Sequence, residues 1–308
     1  MKPELCDQLR EHGYQGRVVS IQRLRDLKQE IDGRLGDGSL DKTFSDESLS
    51  GFDFGLPERL PDARSLIVVA VKQPQVRFTF TWNDARMEFM VPPTYIRGPG
   101  TDTQVENTLS EVLEPAGYRV TQARLPKKLL AVRSGLAEYG RNNITYVSGL
   151  GSFHRLAAFY SDLPCDEDIW QEARMMARCE TCEVCRSSCP SGAIPYDRFL
   201  LRAERCIVFH NEHPNEIPFP SWLDPSWHNC VVGCMLCQIP CPEERMSLGR
   251  IEDGAEFSAE ETLLLVEGRP TEEFSLEMDE KLNQSDLVYL LDVFPRNLKV
   301  LLKKSQGA

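Results

Sequence analysis

The sequence of 308 residues contains no apolar run long enough to cross a membrane. A membrane-spanning helix needs about 20 consecutive apolar residues. The densest apolar stretch here, at residues 65–71, has only the length of a strand. The first residues also lack the apolar core of a secretory signal. We therefore expect a cytoplasmic protein.

The sequence is also poor in positive charge. It contains 35 Lys and Arg against 47 Asp and Glu, which gives a formal net charge of −12 at pH 7. A general nucleic-acid-binding protein needs a basic surface that neutralises phosphates, so this balance argues against that class and against a membrane-surface role. A P-loop, a GxSxG motif and a dinucleotide-binding GxGxxG motif are lacking as well, which disfavours the enzyme classes that those motifs mark.

Cysteine, by contrast, is abundant and clustered. Nine of the eleven cysteines fall between Cys179 and Cys241, and only Cys6 and Cys165 stand apart. An odd number of cysteines in a chain without a secretory signal argues against a disulfide framework. We therefore interpret the clustered cysteines as a source of thiolate ligands for metal.

The clustered cysteines form two spaced motifs. They are Cys179-x2-Cys182-x2-Cys185-x3-Cys189-Pro190 and Cys234-x2-Cys237-x3-Cys241-Pro242. The C-x2-C-x2-C-x3-C-P run is typical of bacterial proteins with two [4Fe–4S] clusters, in which the fourth cysteine ligates the other cluster. Zinc also binds CxxC pairs, but the third closely spaced cysteine and the Cys-Pro endings favour two [4Fe–4S] clusters.

The reciprocal arrangement predicts one ligand set for each cluster. The set for cluster A is Cys179, Cys182, Cys185 and, from the second motif, Cys241. The set for cluster B is Cys189, Cys234, Cys237 and one further cysteine. The spacing leaves Cys206 and Cys230 as alternatives for that last ligand.

The composition divides the chain into three segments. Residues 1–163 have mixed helix-type and strand-type periodicity, with helices at 21–35, 101–115 and 126–139 and strands at 65–71, 76–82, 87–91 and 118–125. Residues 164–250 are rich in Cys and Pro, as metal-held loops are. Residues 251–308 are acidic and have helical periodicity.

The segments around the cysteines resemble those of epoxyqueuosine reductases and, more loosely, those of reductive dehalogenases. They are AVRSGLAEYGRNN at residues 131–143, GLGSFHRL at 149–156, SDLP at 161–164, RCI at 205–207 and PRNL at 295–298. Gly233 and Gln238 of the second cysteine motif also match. The resemblance covers about residues 60–300 and is most specific through the cysteine region.

The resemblance implies a cobalamin-dependent iron–sulfur reductase with an α+β fold. A nitroreductase-like α/β corrinoid-binding domain would occupy residues 1–163, a bacterial 2×[4Fe–4S] ferredoxin-like module 164–250, and a short helical C-terminal region 251–308. Cys206 becomes the fourth ligand of cluster B, and Cys230 is left over. The implied corrinoid contacts are Arg141, Asn142, Asn143, Ser152 and Phe153. A glycine-flanked asparagine pair is, however, equally typical of an ordinary turn.

Three functions are consistent with these features. The first is an enzyme in which the clusters deliver electrons to a bound corrinoid that reduces a small substrate. The second is an electron-transfer protein that reduces the corrinoid of a partner protein, and the third is a tRNA epoxyqueuosine reductase. We expect an external electron donor such as ferredoxin or flavodoxin, and no nucleic-acid partner.

The proton donor is not evident from the sequence. Epoxyqueuosine reductases have an acidic proton donor at a stretch that here reads YRVTQARLP, at residues 118–126, without Asp or Glu. Weak candidates are Tyr118, Tyr139 and Tyr146, although a tyrosine at such a position is more often packed with its hydroxyl satisfied. His154 and His210 are alternatives for cobalt ligation or proton transfer, but a structural role is favoured for both.

Overall fold

The structure is a computed structural model that describes residues 3–245 and 247–306, without the side chains of residues 3, 4, 6 and 306. The side chain of Cys6 therefore lies outside the described part. The strands are β1 (Tyr14–Ser20), β2 (Ser65–Lys72), β3 (Gln75–Trp82), β4 (Ala85–Val91), β5 (Val120–Gln122), β6 (Glu138–Tyr139), β7 (Thr145–Tyr146), β8 (His154–Ser161) and β9 (Ile251–Phe257). Within the described ranges, no helix is long and apolar enough to span a bilayer.

The helices are distributed along the whole chain. They are α1 (Pro3–Glu11), α2 (Arg23–Gly36), α3 (Lys42–Ser48), α4 (Gly98–Leu113), α5 (Lys127–Arg133), α6 (Val184–Ser187), α7 (Ile207–Asn211), α8 (Ala259–Glu267), α9 (Leu276–Gln284) and α10 (Phe294–Gln306). Short 3₁₀ turns, such as Ala177–Glu180, connect several of them.

The chain divides into two compact units, neither of which is one continuous segment. Unit 1 comprises the described residues within Met1–Lys72, Pro99–Glu183 and Pro195–Leu201. Unit 2 comprises those within Gln73–Gly98, Val184–Ile194 and Arg202–Ala308. The predicted ranges 1–163, 164–250 and 251–308 are continuous segments of sequence and differ from these two discontinuous units. The assignment of a cofactor to each predicted range stays a prediction.

Unit 1 is built on an antiparallel sheet with the order β1-β2-β8-β5. Strand β2 is buried on both faces apart from Lys72, because its side chains alternate between two cores. Leu66 and Val68 pack with residues of α2 and α5, whereas Ile67 and Val69 pack with residues of α1 and α4. Helices therefore cover both faces of this sheet.

Unit 2 is built on a smaller sheet with the order β4-β3-β9, in which β3 pairs antiparallel with β4 and parallel with β9. The ring of Phe80 stacks on that of Phe257 at a centroid distance of 5.1 Å, which joins β3 to β9 in the core. Val231 and Val232 belong to the same core and are fully buried. They therefore anchor the chain immediately before the second cysteine motif.

Several predicted elements differ from the observed ones. The helix predicted at 126–139 ends at Arg133, because Gly135 turns the backbone with a φ of 72° and the chain continues into β6. The strand predicted at 118–125 is confined to β5. Strands β1 and β9 were not predicted at all. The predicted strands at 65–71, 76–82 and 87–91 are confirmed as β2, β3 and β4.

Candidate iron–sulfur site

The first two cysteines of the first motif lie in unit 1, where one arginine holds the loop that carries them. The guanidinium of Arg141 donates hydrogen bonds to the carbonyl oxygens of Cys182 (2.9 Å, from Nε) and Glu180 (3.2 Å, from Nη2). It also donates to the carbonyl oxygen of Cys179. Hydrogen bonds from a charged donor are stronger than neutral ones, so Arg141 fixes the path of this backbone.

Arg141 lies in the tight connection between β6 and β7. The amide of Gly140 donates to the carbonyl of Ile144 (2.7 Å), and the amide of Asn143 donates to the carbonyl of Gly140 (3.0 Å). Asn143 has a φ of 56°, a left-handed conformation that asparagine adopts more readily than most residues. The asparagine pair therefore forms the turn that its sequence also allowed.

The side chain of Asn142 is buried inside this turn. Its Nδ2 donates to the hydroxyl of Tyr146 (3.1 Å), and its Oδ1 accepts from the amide of Ile144 (3.3 Å). Only 4% of Asn142 and 6% of Tyr146 is exposed. Both side chains therefore stabilise the turn from within.

The side chain of Asn143 binds another segment of unit 1. Its Nδ2 donates to the carbonyl of Phe199 (2.9 Å), and its Oδ1 accepts from the amide of Leu201. The ring of Phe199 packs edge-on against Tyr139 at a centroid distance of 5.5 Å. The amide donor and acceptor of Asn143 are thus both used by the protein's own backbone.

Unit 2 contains all four cysteines predicted to ligate cluster B, Cys189, Cys206, Cys234 and Cys237. Burial raises the pKa of the Cys237 thiol well above its usual value, and negative charge on Cys234, Cys206, Cys189 and Cys185 raises it further. Burial likewise raises the pKa of Cys206 to about 12, despite hydrogen bonding from the amide of Val208. Buried thiols that repel one another in the ionised state need a bound cation or cluster to compensate their charge. This donor set therefore fits a [4Fe–4S] cluster.

Cys206 and Cys230 have different surroundings. The thiol of Cys206 is close enough to Cys234 and Cys189 for their charges to affect its pKa. Cys230 is only 1% exposed, and its Sγ donates a hydrogen bond to Oδ1 of Asn229 at 3.1 Å. The charge of Cys234 also raises the pKa of Cys230, so Cys206 as the fourth ligand of cluster B stays a prediction.

The ligand set of cluster A stays a prediction. Cys179 and Cys182 are described with unit 1, and Cys185 and Cys241 with unit 2. None of the cysteines whose side chains are described forms a disulfide. Among the described residues, no three His, Cys, Asp or Glu side chains converge on a point that would hold a single metal ion. A four-iron cluster instead takes each thiolate on a different iron, so its ligands surround a volume.

The other predicted corrinoid contacts are buried in unit 1. Phe153 is 1% exposed and Ser152 is 7% exposed, so neither offers much surface to a ligand. His154 is also buried, and its two ring nitrogens lie 3.1 Å from Oγ1 of Thr145 and 3.1 Å from the carbonyl of Gly151. These contacts give His154 a structural role.

The three tyrosine candidates have different surroundings. Tyr118 is half-buried against the core that contains α1 and α4. Burial is the main cause that raises the pKa of Tyr139, and the charge of Glu30 adds to it. Among these candidates, Tyr146 is held by Asn142 as described. His210 lies elsewhere, in unit 2, with its Nε2 2.8 Å from the carbonyl of Glu204.

Two residues of unit 2 next to predicted ligands were missed from the sequence. Arg205 donates from Nε to the carbonyl of Ser191 (2.9 Å) and lies over the ring of Trp222 at 5.1 Å. Asn229 donates from Nδ2 to Sγ of Cys234 at 3.2 Å. The RCI triplet at residues 205–207 was the only sequence feature that pointed to Arg205. No sequence feature pointed to Asn229.

Comparison with known proteins supports this site. Residues 178–244 match the family described as the 4Fe-4S double cluster binding domain. The matched range contains every predicted cluster ligand, from Cys179 to Cys241. The prediction of two [4Fe–4S] clusters is thereby confirmed.

The wider chain is similar to epoxyqueuosine reductases. One of them, from Pseudomonas aeruginosa, is 31% identical over 149 residues, a match that covers 47% of this chain and 39% of that protein. The match therefore spans only about two fifths of the curated relative's length.

Two solved structures extend the similarity to the fold. The structure of epoxyqueuosine reductase from Streptococcus thermophilus aligns with a TM-score of 0.68 at 16% identity, over 99% of this chain and 81% of that one. A crystal structure of epoxyqueuosine reductase with an epoxyqueuosine-modified tRNA-Tyr stem loop aligns with a TM-score of 0.65 at 17% identity, over 96% and 78%. The chain is thus similar to epoxyqueuosine reductases, in sequence over 47% of its length in the match to the Pseudomonas aeruginosa protein and in fold over nearly all of it, and its residues 178–244 match the 4Fe-4S double cluster binding domain.

Proposed function

We propose that this protein is an iron–sulfur oxidoreductase in which two [4Fe–4S] clusters deliver electrons to a bound corrinoid. The observation that carries the proposal is that Cys189, Cys206, Cys234 and Cys237 belong to one compact unit and lie within a segment that matches the double-cluster family. When bound, the clusters would transfer single electrons and the corrinoid would supply a strongly reducing cobalt centre.

The chain's own residues support this role by holding the cluster ligands in place. Arg141 binds the carbonyl groups of the loop that carries Cys179 and Cys182. Arg205, next to Cys206, binds the carbonyl of Ser191. Fixed ligand loops favour fast electron transfer because the thiolates need not move when a cluster changes its charge.

The residues first predicted to contact the corrinoid fit it less well. The polar groups of Arg141 and Asn143 bind the protein's own backbone, and Asn142 and Phe153 are buried. The proposal of a corrinoid therefore depends on the relationship to the reductases. It assigns no step of the reaction to these residues.

Two substrate classes remain for the enzyme. A small substrate is favoured by the acidic character of residues 251–308, where 13 Asp and Glu outnumber 6 Lys and Arg, and by the lack of an acidic residue at 118–126. Epoxyqueuosine in tRNA is favoured by the relatives, one of which is bound to a tRNA stem loop. That complex weighs against the expectation of no nucleic-acid partner.

An electron-transfer protein without a substrate of its own is the second candidate function. It is favoured by the same lack of Asp and Glu at residues 118–126, and the net charge of −12 would steer a basic partner toward the protein. Turnover of a small molecule by the purified protein with a chemical reductant would exclude this function.

The main experiment is metal and absorption analysis of protein purified without oxygen. We expect about 8 iron atoms per chain, as two four-iron clusters require, and a change in corrin absorption when cobalamin is added. A colourless preparation, or one that contains only zinc, would contradict the clusters. Clusters without any corrin response would leave the electron-transfer function.

A binding titration with tRNA separates the two substrate classes. Binding that depends on phosphate contacts weakens steeply as salt rises. Affinity for tRNA with such a salt dependence would favour epoxyqueuosine as substrate. Lack of binding at low salt would favour the small substrate.

A further inference from the structure

The side chain of Asn229 connects the second cysteine motif to the residues before it. Its Nδ2 donates to Sγ of Cys234 (3.2 Å) and to the carbonyl of Trp227 (3.1 Å). Its Oδ1 accepts from the amide of Met235 (3.0 Å) and from the thiol of Cys230 (3.1 Å). Both hydrogens of the amide group and its oxygen are therefore used.

An amide is the side chain that can make this set of contacts. Asparagine has two N–H donors and an oxygen with two lone pairs on one short rigid group. Aspartate would keep the acceptor for Met235 but would lose the donor to Cys234. Serine is too short to reach both sides of the motif.

The contact with sulfur has an electronic consequence. A hydrogen bond to a ligand sulfur stabilises the negative charge that a cluster gains on reduction, and it thereby raises the reduction potential. The effect is specific to the cluster that the sulfur ligates, because the donor touches that sulfur alone.

We propose that Asn229 is a positioning residue that raises the reduction potential of the cluster ligated by Cys234. The inference rests on the proposed function, since it requires that Cys234 ligate a cluster. It adds a residue that orients the second cysteine motif and acts on the potential of one cluster.

Asn211, the last residue of α7, provides a matched control that contacts the same cysteine loop. Asn211 is 1% exposed, and its side chain donates to the carbonyl of Gly233 (2.6 Å) and accepts from the amide of Gly233 (3.0 Å). Asn211 thus binds the residue before Cys234, and Asn229 binds Met235, the residue after it. The side-chain contacts found for Asn211 are with Gly233 and not with a sulfur, so loosening the loop and removing the N–H···S bond can be told apart.

The experiment is a redox titration of the anaerobic, cluster-loaded protein followed by electron paramagnetic resonance. We expect Asn229→Ser and Asn229→Asp to lower the midpoint potential of one cluster and to leave the other unchanged. Asn211→Ser is expected to leave both potentials unchanged. Equal shifts in the Asn229→Ser and Asn211→Ser proteins, or unchanged potentials in the Asn229 variants, would overturn the proposal.

Iron content distinguishes this inference from the proposed function. About 8 irons in the wild type with unaltered potentials in the variants would reject the role of Asn229 alone. A wild-type protein without iron would reject the proposed function itself.

If the Asn229 variants fail to retain iron, a measurement on the wild type still tests the proposal. Protein in which only the asparagine side-chain nitrogen is ¹⁵N is reduced and examined by pulsed electron paramagnetic resonance. We expect a weak ¹⁵N coupling to one reduced cluster, transmitted through the hydrogen bond to Cys234. Lack of that coupling would also overturn the proposal.

Discussion

Nε of Arg141 donates a hydrogen bond of 2.9 Å to the carbonyl oxygen of Cys182. The same guanidinium donates to the carbonyl groups of Cys179 and Glu180, so one side chain binds three backbone carbonyls of the first cysteine motif. The planar fork of arginine suits this arrangement, because its N–H groups point in fixed and different directions. A residue that the motif comparison assigned to the corrinoid thus acts on the loop that carries cluster ligands.

Substitution of Arg141 should reduce stability and iron content. We expect Arg141→Gln to lower the free energy of unfolding by about 2 kcal/mol, because partly buried charge-assisted hydrogen bonds are lost. The free energy of unfolding of Arg141→Lys should lie between those of Arg141→Gln and the wild type, since a single ammonium cannot reach all three carbonyl groups. Anaerobic urea denaturation and iron analysis measure the two effects.

An exposed arginine provides the comparison for Arg141. Arg10 pairs with Asp7 at 2.6 Å, and both side chains are more than 60% exposed. Such surface pairs contribute little, so Arg10→Gln should change neither stability nor iron content measurably. Equal behaviour of the two glutamine variants would show that Arg141 does not hold the cysteine loop.

Exchange of single cysteines should identify the fourth ligand of cluster B. Cys206→Ser is expected to reduce the iron content from about 8 to about 4 atoms per chain, because a four-iron cluster loses a ligand. Cys230→Ser should retain both clusters, since a hydroxyl can also donate to Asn229 as the thiol does. Iron analysis of both proteins after the same anaerobic purification is decisive, and the reverse result would assign the ligand to Cys230.

The sequence predicted the cysteine chemistry and the main strands because these depend on local spacing. The cysteine motifs need only residues that lie a few positions apart, and β2 is an uninterrupted apolar run. Strand β9 was missed for the opposite reason. It contains three acidic residues and pairs with β3, more than 170 positions away in the chain.

The pairing of β9 is readable only once the fold brings the partners together. Nε of Arg77 lies 3.0 Å from Oδ1 of Asp253, and Nη2 of Arg86 lies 2.6 Å from Oε1 of Glu256. Basic residues of β3 and β4 therefore compensate the negative charge of β9. The partners of Arg141 and Asn229 were hidden for a similar reason, since backbone carbonyls and a single sulfur leave no pattern in the sequence.

The buried His154 should make stability depend on pH below neutrality. Burial is the main cause that lowers the pKa of His154 to about 4 from its usual 6.5. A carbonyl can only accept, so Nδ1 donates to Gly151. Because the pKa is about 4, the ring is neutral near pH 7, and Nε2 then accepts from the hydroxyl of Thr145. The unfolded chain takes up a proton below pH 6.5 and the folded protein does so only near pH 4, so stability is lost as pH falls through this window.

A comparison of the wild type with His154→Gln isolates this effect. Glutamine does not titrate, so the wild type should lose about 2 kcal/mol relative to the variant between pH 7 and pH 5. His228, whose pKa burial also lowers to about 4, is present in both proteins and cancels. Urea denaturation at several pH values measures the difference, and parallel pH profiles would show that His154 is not buried in its neutral form.

The turn that presents Arg141 should not tolerate a side chain at Gly140. A Cβ atom there would lie 2.5 Å from Oδ1 of Asn142 and 2.5 Å from Cε2 of Tyr146, which form the buried interior of the turn. We expect Gly140→Ala to cost about 1–3 kcal/mol, as overpacking does, and to lower the iron content by displacing Arg141. Gly33→Ala in α2 is the control, because a Cβ atom there meets nothing within 4 Å and alanine favours the helix by about 0.5–1 kcal/mol. If Gly140→Ala and Gly33→Ala had the same free energy of unfolding, the turn would be looser than its contacts indicate. Arg141 would then hold the cysteine loop without support from the turn.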